Sequence, residues 1–164
     1  VAILFGKWPP FPEPRQADLP KADLKQLAGR TEIWLEAQRP ALPAPARQLV
    51  DGIGVQLDLL APQLQTLDPA TPAAGNIRKL VGEDLPELVA GYQRIPAGLR
   101  GEAHAGRTPD ETLVGGLRML EREIGEAARS LAAGELDKLA TRERYLQLKY
   151  QGLEAEDGGD APTS

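Results

Sequence analysis

The residue types that could carry out catalysis are few in this sequence, and they lie far apart. His104, the only histidine, lies in a Gly-rich connection, where it could act as a general base or a metal ligand. We interpret it instead as a solvated surface residue, because no partner at a defined spacing accompanies it. Ser130 and Ser164 are the only serines, and neither follows the strand–turn–helix pattern of a serine hydrolase. The absence of cysteine excludes thiolate nucleophiles, thiolate metal sites and disulfides.

Three carboxylates form the one local cluster of candidate groups. Glu83, Asp84 and Glu87 fall within one and a half helical turns, so they could bind a divalent cation or hold a perturbed acid–base pair. The alternative, which we favour, is that they line the outer side of a helix whose apolar residues face inward. No phosphate-binding loop or dinucleotide fingerprint occurs in the sequence. We therefore predict no catalytic residue, no metal and no cofactor.

The charge distribution argues against nucleic acid as a partner. The net charge is −5, and Glu154, Glu156, Asp157 and Asp160 account for four of these charges, which leaves −1 for residues 1–150. Phosphate neutralisation needs clustered Lys and Arg, and this near-neutral body has no basic stripe. No run approaches the roughly 20 apolar residues that a membrane-spanning helix needs.

Three apolar ladders predict the main helices. Within residues 46–67, 72–95 and 109–133, apolar residues recur at steps of three and four, which is the spacing of one buried helix face. None of these segments alternates with the period of two that is typical of a half-buried strand. The ladders are Leu49, Ile53, Leu57, Leu60, Leu64 and Leu67; Ile77, Val81, Leu85, Leu88, Tyr92 and Ile95; and Leu113, Leu117, Leu120, Ile124, Ala127 and Leu131.

Capping signals predict several helix boundaries. Thr108-Pro109-Asp110-Glu111 supplies an N-cap, a proline at the first helical position and a capping-box acid, and Thr71-Pro72 is a similar start. The apolar stripe of the fourth helix loses phase at Gly134, which predicts that this helix ends or kinks there. A fifth helix is then expected over about 135–150.

Prolines and glycines inside the periodic segments predict local interruptions. Pro62 and Pro86 should kink their helices or restart them. Glycines also fall inside the periodic segments, where each costs about 1 kcal/mol relative to Ala. They could mark close helix approach or a hinge, but we favour a compositional origin, because this sequence is generally rich in glycine. They include Gly52, Gly54, Gly82, Gly91, Gly115 and Gly116.

The aromatic residues are concentrated near the start of the chain. Residues 8–20 are rich in proline and predict an extended, polyproline-like arm that contains Trp8 and Phe11. Residues 20–38 predict a short amphipathic helix with Leu24, Leu27, Trp34 and Leu35 near one face. The arm could dock on its own bundle or engage a partner, for which tryptophan is a favoured anchor. Trp8, Phe11 and Trp34 are therefore our candidate interaction residues.

The sequence divides into three regions. Residues 1–20 form the Pro- and aromatic-rich arm, residues 21–150 the helical bundle, and residues 151–164, which lack periodicity, a disordered acidic tail. The apolar start, Val1–Gly6, is followed by Lys7 and Trp8, as at the exit of a membrane helix. A membrane anchor upstream of Val1 is therefore one hypothesis.

Several segments together carry a family resemblance. A Leu-rich helix ends at Leu67-Asp68-Pro69 and is followed by IRKLVGEDLPELVAGYQRI, TLVGGLRMLEREIGEAARSLAAG and ELDKLATRERYLQLKY. In this layout, residues 49–150 resemble the XpaC-like family, which is named for bromo-chloro-indolyl phosphate hydrolysis. The resemblance implies a bacterial helical-bundle protein, often carried behind N-terminal membrane segments and linked with TelA-like toxic-anion resistance proteins. The family offers no defined catalytic residues to carry over.

Together these observations predict an all-α fold, a four- to five-helix bundle that is mostly antiparallel and carries a Pro-rich N-terminal arm. We expect a non-enzymatic interaction or scaffold domain that binds a protein partner or itself, and the resemblance adds an accessory role in a stress or toxic-anion resistance system. One alternative is a phosphate-ester hydrolase or its regulator. Another is the soluble part of a membrane-anchored accessory protein. The expected location is cytoplasmic, with membrane association only through a segment upstream of Val1.

Overall fold

Helices make up most of the chain. The computed structural model describes the backbone of residues 13–159 and the side chains of residues 13–152. This part contains five α-helices and no β-strand, which confirms the predicted all-α fold. The chain forms two compact units, unit 1 ending at Ala128 and unit 2 beginning at Arg129. The helices are α1 (Leu24–Gln38), α2 (Ala44–Leu64), α3 (Pro72–Lys79), α4 (Leu85–Gln93) and α5 (Pro109–Gly159).

Most residues of the predicted apolar stripes lie in the core of unit 1. The exceptions, which are only half-buried, are Leu49, Leu67, Leu88, Ile95, Leu120, Ala127 and Leu131. With so few aromatic residues, this core is filled mainly by leucine, isoleucine, valine and alanine. A bidentate ion pair joins the C-terminal end of α1 to α2. In it, Arg39 Nε and Nη2 donate to the two carboxylate oxygens of Asp51 at 2.9 and 2.8 Å. The largest fully buried side chains are Leu19, Leu24, Leu27, Leu35, Ile53, Leu57, Leu60, Leu64, Leu85, Leu113, Leu117 and Ile124.

The predicted N-caps at Thr71 and Thr108 are confirmed, and Pro62 falls near a helix end. The Thr71 hydroxyl accepts a hydrogen bond from the Ala74 N–H at 3.3 Å at the start of α3. The Thr108 hydroxyl accepts from the Glu111 N–H at 3.1 Å at the start of α5. Both are side-chain N-caps of the expected kind, each followed by a proline. Pro62 lies in the last turn of α2, which ends at Leu64.

The segment before α1 departs from the prediction. Gln16–Lys21 is a 3₁₀ turn, not the end of an extended arm, and the predicted helix over 20–38 begins at Leu24 with Asp23 as its N-cap. The physical reason is burial, because Leu19 is fully buried and the turn therefore joins the core. Arg78 of α3 fixes the end of this turn by donating to the Pro20 carbonyl at 2.8 Å.

A π turn, Leu80–Asp84, separates α3 from α4 where the sequence predicts one interrupted helix. In this register an N–H binds the carbonyl five residues earlier, as the Leu85 N–H does with the Leu80 carbonyl. The next donor would be Pro86, which has no N–H. The Val81 carbonyl instead accepts from the hydroxyl of Thr31, a fully buried side chain of α1, at 3.4 Å. The expected disturbance at Pro86 is thus confirmed, and α1 compensates for it.

Four of the interior glycines, Gly52, Gly82, Gly115 and Gly116, sit at close contacts, which corrects the compositional interpretation at those positions. At Gly52 and Gly115 the contact is with the end of a flexible charged side chain, and the other two are firmer constraints. A Cβ at Gly82, in the π turn, would lie 3.1 Å from the Cα of Pro20. A Cβ at Gly116, in α5, would lie 2.6 Å from the nearest methyl carbon of Leu88 in α4. Glycine at both positions lets neighbouring segments approach more closely than any other residue would allow.

Helix α5 differs most from its prediction. It continues through Gly134, so the expected end there and the separate fifth helix over 135–150 are wrong. Glycine lowers helix propensity by about 1 kcal/mol, and its helix-forming neighbours, alanine, leucine and glutamate, make up this deficit. The helix also continues nine residues into the predicted disordered tail and ends at Gly159. No helix in the described part of the chain is long and apolar enough to cross a membrane.

Candidate functional site

Four exposed apolar side chains of unit 2 lie along one face of its helix. We call Leu136, Leu139, Leu146 and Tyr150 the C-terminal stripe. Their exposed fractions are 63%, 65%, 41% and 54%. At about 100° per residue, the four positions fall within an arc of about 80°. Apolar residues at steps of three, seven and four are typical of a helix that packs against another helix.

Glu143 shares the face of the C-terminal stripe, which is otherwise apolar. Its carboxylate accepts a hydrogen bond from the Gln147 amide at 3.1 Å, one turn further along the helix. Gln147 lies at the edge of the stripe, so the contact draws the carboxylate sideways. The stripe therefore has a polar point near its middle, which restricts the partner residues that could face it.

The two edges of the C-terminal stripe differ in charge. One edge, which we call the charged flank, carries Glu135, Arg142 and Lys149 at heptad spacing. The opposite edge carries Ala133, Ala140 and Gln147. Within the chain, Glu135 pairs with Lys138 at 3.2 Å, an exposed contact. Such pairs contribute little and can be exchanged for others.

Unit 1 has a second candidate, a cleft of about 370 Å³ between α4 and the start of α5. Its floor includes Leu88, Ile95 and Leu113, and its mouth carries His104 and Arg107. His104 is exposed, as predicted, on a four-residue turn in which its N–H donates to the Arg107 carbonyl at 2.8 Å. An apolar floor with few polar groups could accept a small apolar molecule.

The polar groups beside this cleft serve the fold. The Tyr92 hydroxyl donates to the Asp110 carboxylate at 2.5 Å, which ties α4 to the first turn of α5. Burial, together with the bond to Asp110 and its charge, raises the pKa of Tyr92 to about 12. Arg100 lies over the Tyr92 ring at 4.8 Å and donates to the Ile95 carbonyl at 2.9 Å. A tyrosine held protonated in this way cannot act as a base at neutral pH.

The predicted carboxylate cluster lies on the surface. Glu83 and Asp84 are exposed in the π turn, and Glu87 is exposed at the start of α4, where it lies 3.8 Å from Arg94. Their outward position agrees with the interpretation that we favoured. Within the described residues, no group of three or more His, Cys, Asp or Glu side chains could hold a metal ion.

A carboxylate pair that the sequence does not reveal lies between α1 and α2. The pKa of Glu32 is raised to about 7 by burial and by Asp58, with a further contribution from Glu36. Glu32 and Asp58 are 26 positions apart in sequence, and only the packing of α1 on α2 brings them together. Glu32 can therefore take up or release a proton near neutral pH.

The three predicted interaction residues have different outcomes. Trp8 and Phe11 lie outside the described residues. Trp34 is 5% exposed and belongs to the core of unit 1, so a partner could contact it only at its edge. The C-terminal stripe is not among the predicted interaction residues, although its leucines lie in the predicted fifth helix.

Comparison with known proteins gives no identification. No family model, no curated protein and no solved structure matches this chain. The resemblance to the XpaC-like family therefore stays a prediction from the sequence.

Proposed function

We propose that this chain is a non-enzymatic interaction protein that binds its partner through the C-terminal stripe on α5. The observation that carries the proposal is the exposure of three leucines and a tyrosine on one helical face, each between 41% and 65% exposed. Contiguous exposed apolar surface is typical of protein interaction sites.

The energetics favour a helical partner. Complete burial of a leucine side chain contributes about 1.5–3 kcal/mol, so pairing the stripe would release a substantial part of that energy. Most of the stability of a protein helix comes from packing of its apolar face. In unit 2 this face is exposed, and a partner would supply the packing. Tyr150 adds an aromatic residue of the kind that often dominates binding energy.

Unit 1 is a compact unit with its own buried core, so the chain has a folded part besides the exposed helical face of unit 2. The accessory role in a stress or toxic-anion resistance system rests on the sequence resemblance alone. The phosphate-ester alternative has no comparable support, because among residues 13–152 no hydrogen bond joins the His104 side chain to a carboxylate or a hydroxyl.

Binding by two variants of the full-length chain tests the proposal. Leu139→Glu/Leu146→Glu places charges in the stripe, whereas Leu148→Glu makes the same change on the other side of the helix, where Leu148 is 67% exposed. Because all three leucines are exposed, unit 1 should stay folded, and circular dichroism checks this. Self-association is followed by sedimentation, and partners captured from source-cell extract are identified and then purified for direct titration.

The stripe variant should lose at least tenfold in affinity, while Leu148→Glu should bind like the wild type. Equal binding by all three proteins would overturn the proposal. The same holds if the wild type stays monomeric and no purified partner binds it in a stripe-dependent way.

A further inference from the structure

We infer that the partner of the C-terminal stripe is a second copy of this chain, and that the two helices pair antiparallel about a point near residue 141. This inference rests on the proposed function, whose surface it uses. It rests also on two observations of its own: the position of Glu143 within the stripe, and the charge order along the charged flank.

The heptad positions favour the antiparallel direction. Leu136, Glu143 and Tyr150 occupy one of the two seam positions, and Ala132, Leu139 and Leu146 occupy the other. A parallel pair would place each residue against itself, so two Glu143 carboxylates would face each other in the seam. Like charges at that distance repel strongly when they are removed from water. An antiparallel pair avoids this contact.

The antiparallel register also matches side-chain sizes. About residue 141, Leu136 of one copy faces Leu146 of the other, and Glu143 faces Leu139. The large Tyr150 faces the small Ala132. The bond from Gln147 already draws the Glu143 carboxylate to the edge of the stripe, where water can reach it. The seam is then closed by leucines and by a large residue against a small one.

The charged flank is complementary to itself in this arrangement. Reversal of direction brings Glu135 of one copy opposite Lys149 of the other, and the symmetry repeats the pair. The two Arg142 side chains meet at the axis and repel each other. Two attractive pairs thus oppose one repulsive pair. The opposite edge carries only alanine and glutamine in this span, so the backbones can approach closely there.

Charge exchange tests the register. In full-length protein at low salt, Lys149→Glu or Glu135→Lys alone should weaken self-association about tenfold, because each dimer loses two attractive pairs and gains two repulsive ones. The double variant Glu135→Lys/Lys149→Glu restores opposite charges and should recover most of the affinity. Arg144→Glu makes the same change of charge outside the charged flank and serves as the matched control.

Spin labels test the direction, since the absence of cysteine allows each site to be labelled alone. Ala140→Cys lies near the proposed axis, so its two labels should be close. Ala133→Cys faces position 147 of the other copy, so its two labels should be offset by fourteen residues, about 21 Å along the helix axis. A parallel pair would bring the labels together at both positions.

Three results would overturn the inference, and they separate it from the proposed function. Close labels at both positions would contradict the antiparallel direction. Failure of the double charge variant to recover affinity would contradict the register. A chain that stays monomeric from about 1 µM to about 1 mM while a purified heterologous partner binds the stripe would reject the second copy and leave the proposed function standing. Without stripe-dependent binding of any kind, both would fail.

Discussion

Replacing Thr31 by valine would remove the hydroxyl that compensates for Pro86 at the π turn. Thr31 is fully buried, and its hydroxyl is the donor to the Val81 carbonyl. A buried carbonyl without a donor costs about 1–3 kcal/mol. The valine methyl returns up to about 1 kcal/mol through apolar burial. We therefore expect Thr31→Val to lower the free energy of unfolding by about 1–2 kcal/mol.

The assay is urea-induced unfolding followed by far-UV circular dichroism, with Thr112→Val as a control at an exposed threonine, where the expected change is within about 0.5 kcal/mol. A second background isolates the cause. Pro86→Ala provides an N–H at residue 86, so the Val81 carbonyl can be satisfied by the backbone in either the π or the α register.

In the Pro86→Ala background, Thr31→Val should cost less than about half of its effect in the wild type. An equal cost in both backgrounds would show that the effect comes from packing and not from the carbonyl. A Thr31→Val protein as stable as the wild type would refute the argument altogether.

Four further predictions concern pH dependence and glycine positions. The pKa of Glu32 is raised to about 7, so the folded state favours its protonated form, and the resulting stabilisation is present below about pH 4.5 and is lost as the pH rises through 7. Glu32→Gln should flatten this decline in the free energy of unfolding. A pH profile of stability equal to that of the wild type would contradict the raised pKa. Because the pKa of Tyr92 is raised to about 12, its contribution to the free energy of unfolding is present below pH 10 and is lost as the pH rises through 12. Tyr92→Phe should therefore be less stable than the wild type at pH 8, and the difference in stability should shrink in alkaline titrations. Gly82→Ala should destabilise the protein in urea melts, because its Cβ would meet the backbone of Pro20. The Cβ of Gly75→Ala would meet nothing within 4 Å, so this variant should be more stable by up to about 1 kcal/mol. Equal effects of the two substitutions would refute the close contact at Gly82. Gly134→Ala should raise the helical signal of the chain, because Gly134 is inside a continuous helix with open space around it, and a loss of signal would favour a break there.

The sequence predicts the elements of unit 1 well because its signals are local. A threonine before a proline marks the starts of α3 and α5, and the apolar steps of three and four give the buried faces of α1 and α2. Residues 16–21 have a local signal that is misleading, because the prolines of residues 8–20 predict an extended chain, whereas residues 16–21 form a 3₁₀ turn. Their 3₁₀ turn depends on burying Leu19 and on the bond from Arg78, and both contacts are distant in sequence.

The interruption between α3 and α4 could be located from Pro86, but its form could not. A proline removes one donor, and the chain can respond with a kink, a new helix start or a π turn. Here the response depends on Thr31, fifty residues earlier, which supplies the missing donor. The pairing of Glu32 with Asp58 is hidden for the same reason, since no local pattern links positions on two different helices.

The candidate site shows most clearly what periodicity can and cannot predict. A phase change in the apolar pattern at Gly134 suggested the end of a helix, but it separates two parts of one helix with different environments. Before it, Leu113, Leu117 and Ile124 are at most 1% exposed in the core of unit 1. After it, leucines at similar spacing are 41–65% exposed. The pattern indicates that a face favours burial, but it does not indicate which surface buries it. That distinction comes from the exposed fractions of the side chains, and together with their shared helical face it is why we propose the C-terminal stripe as the interaction site.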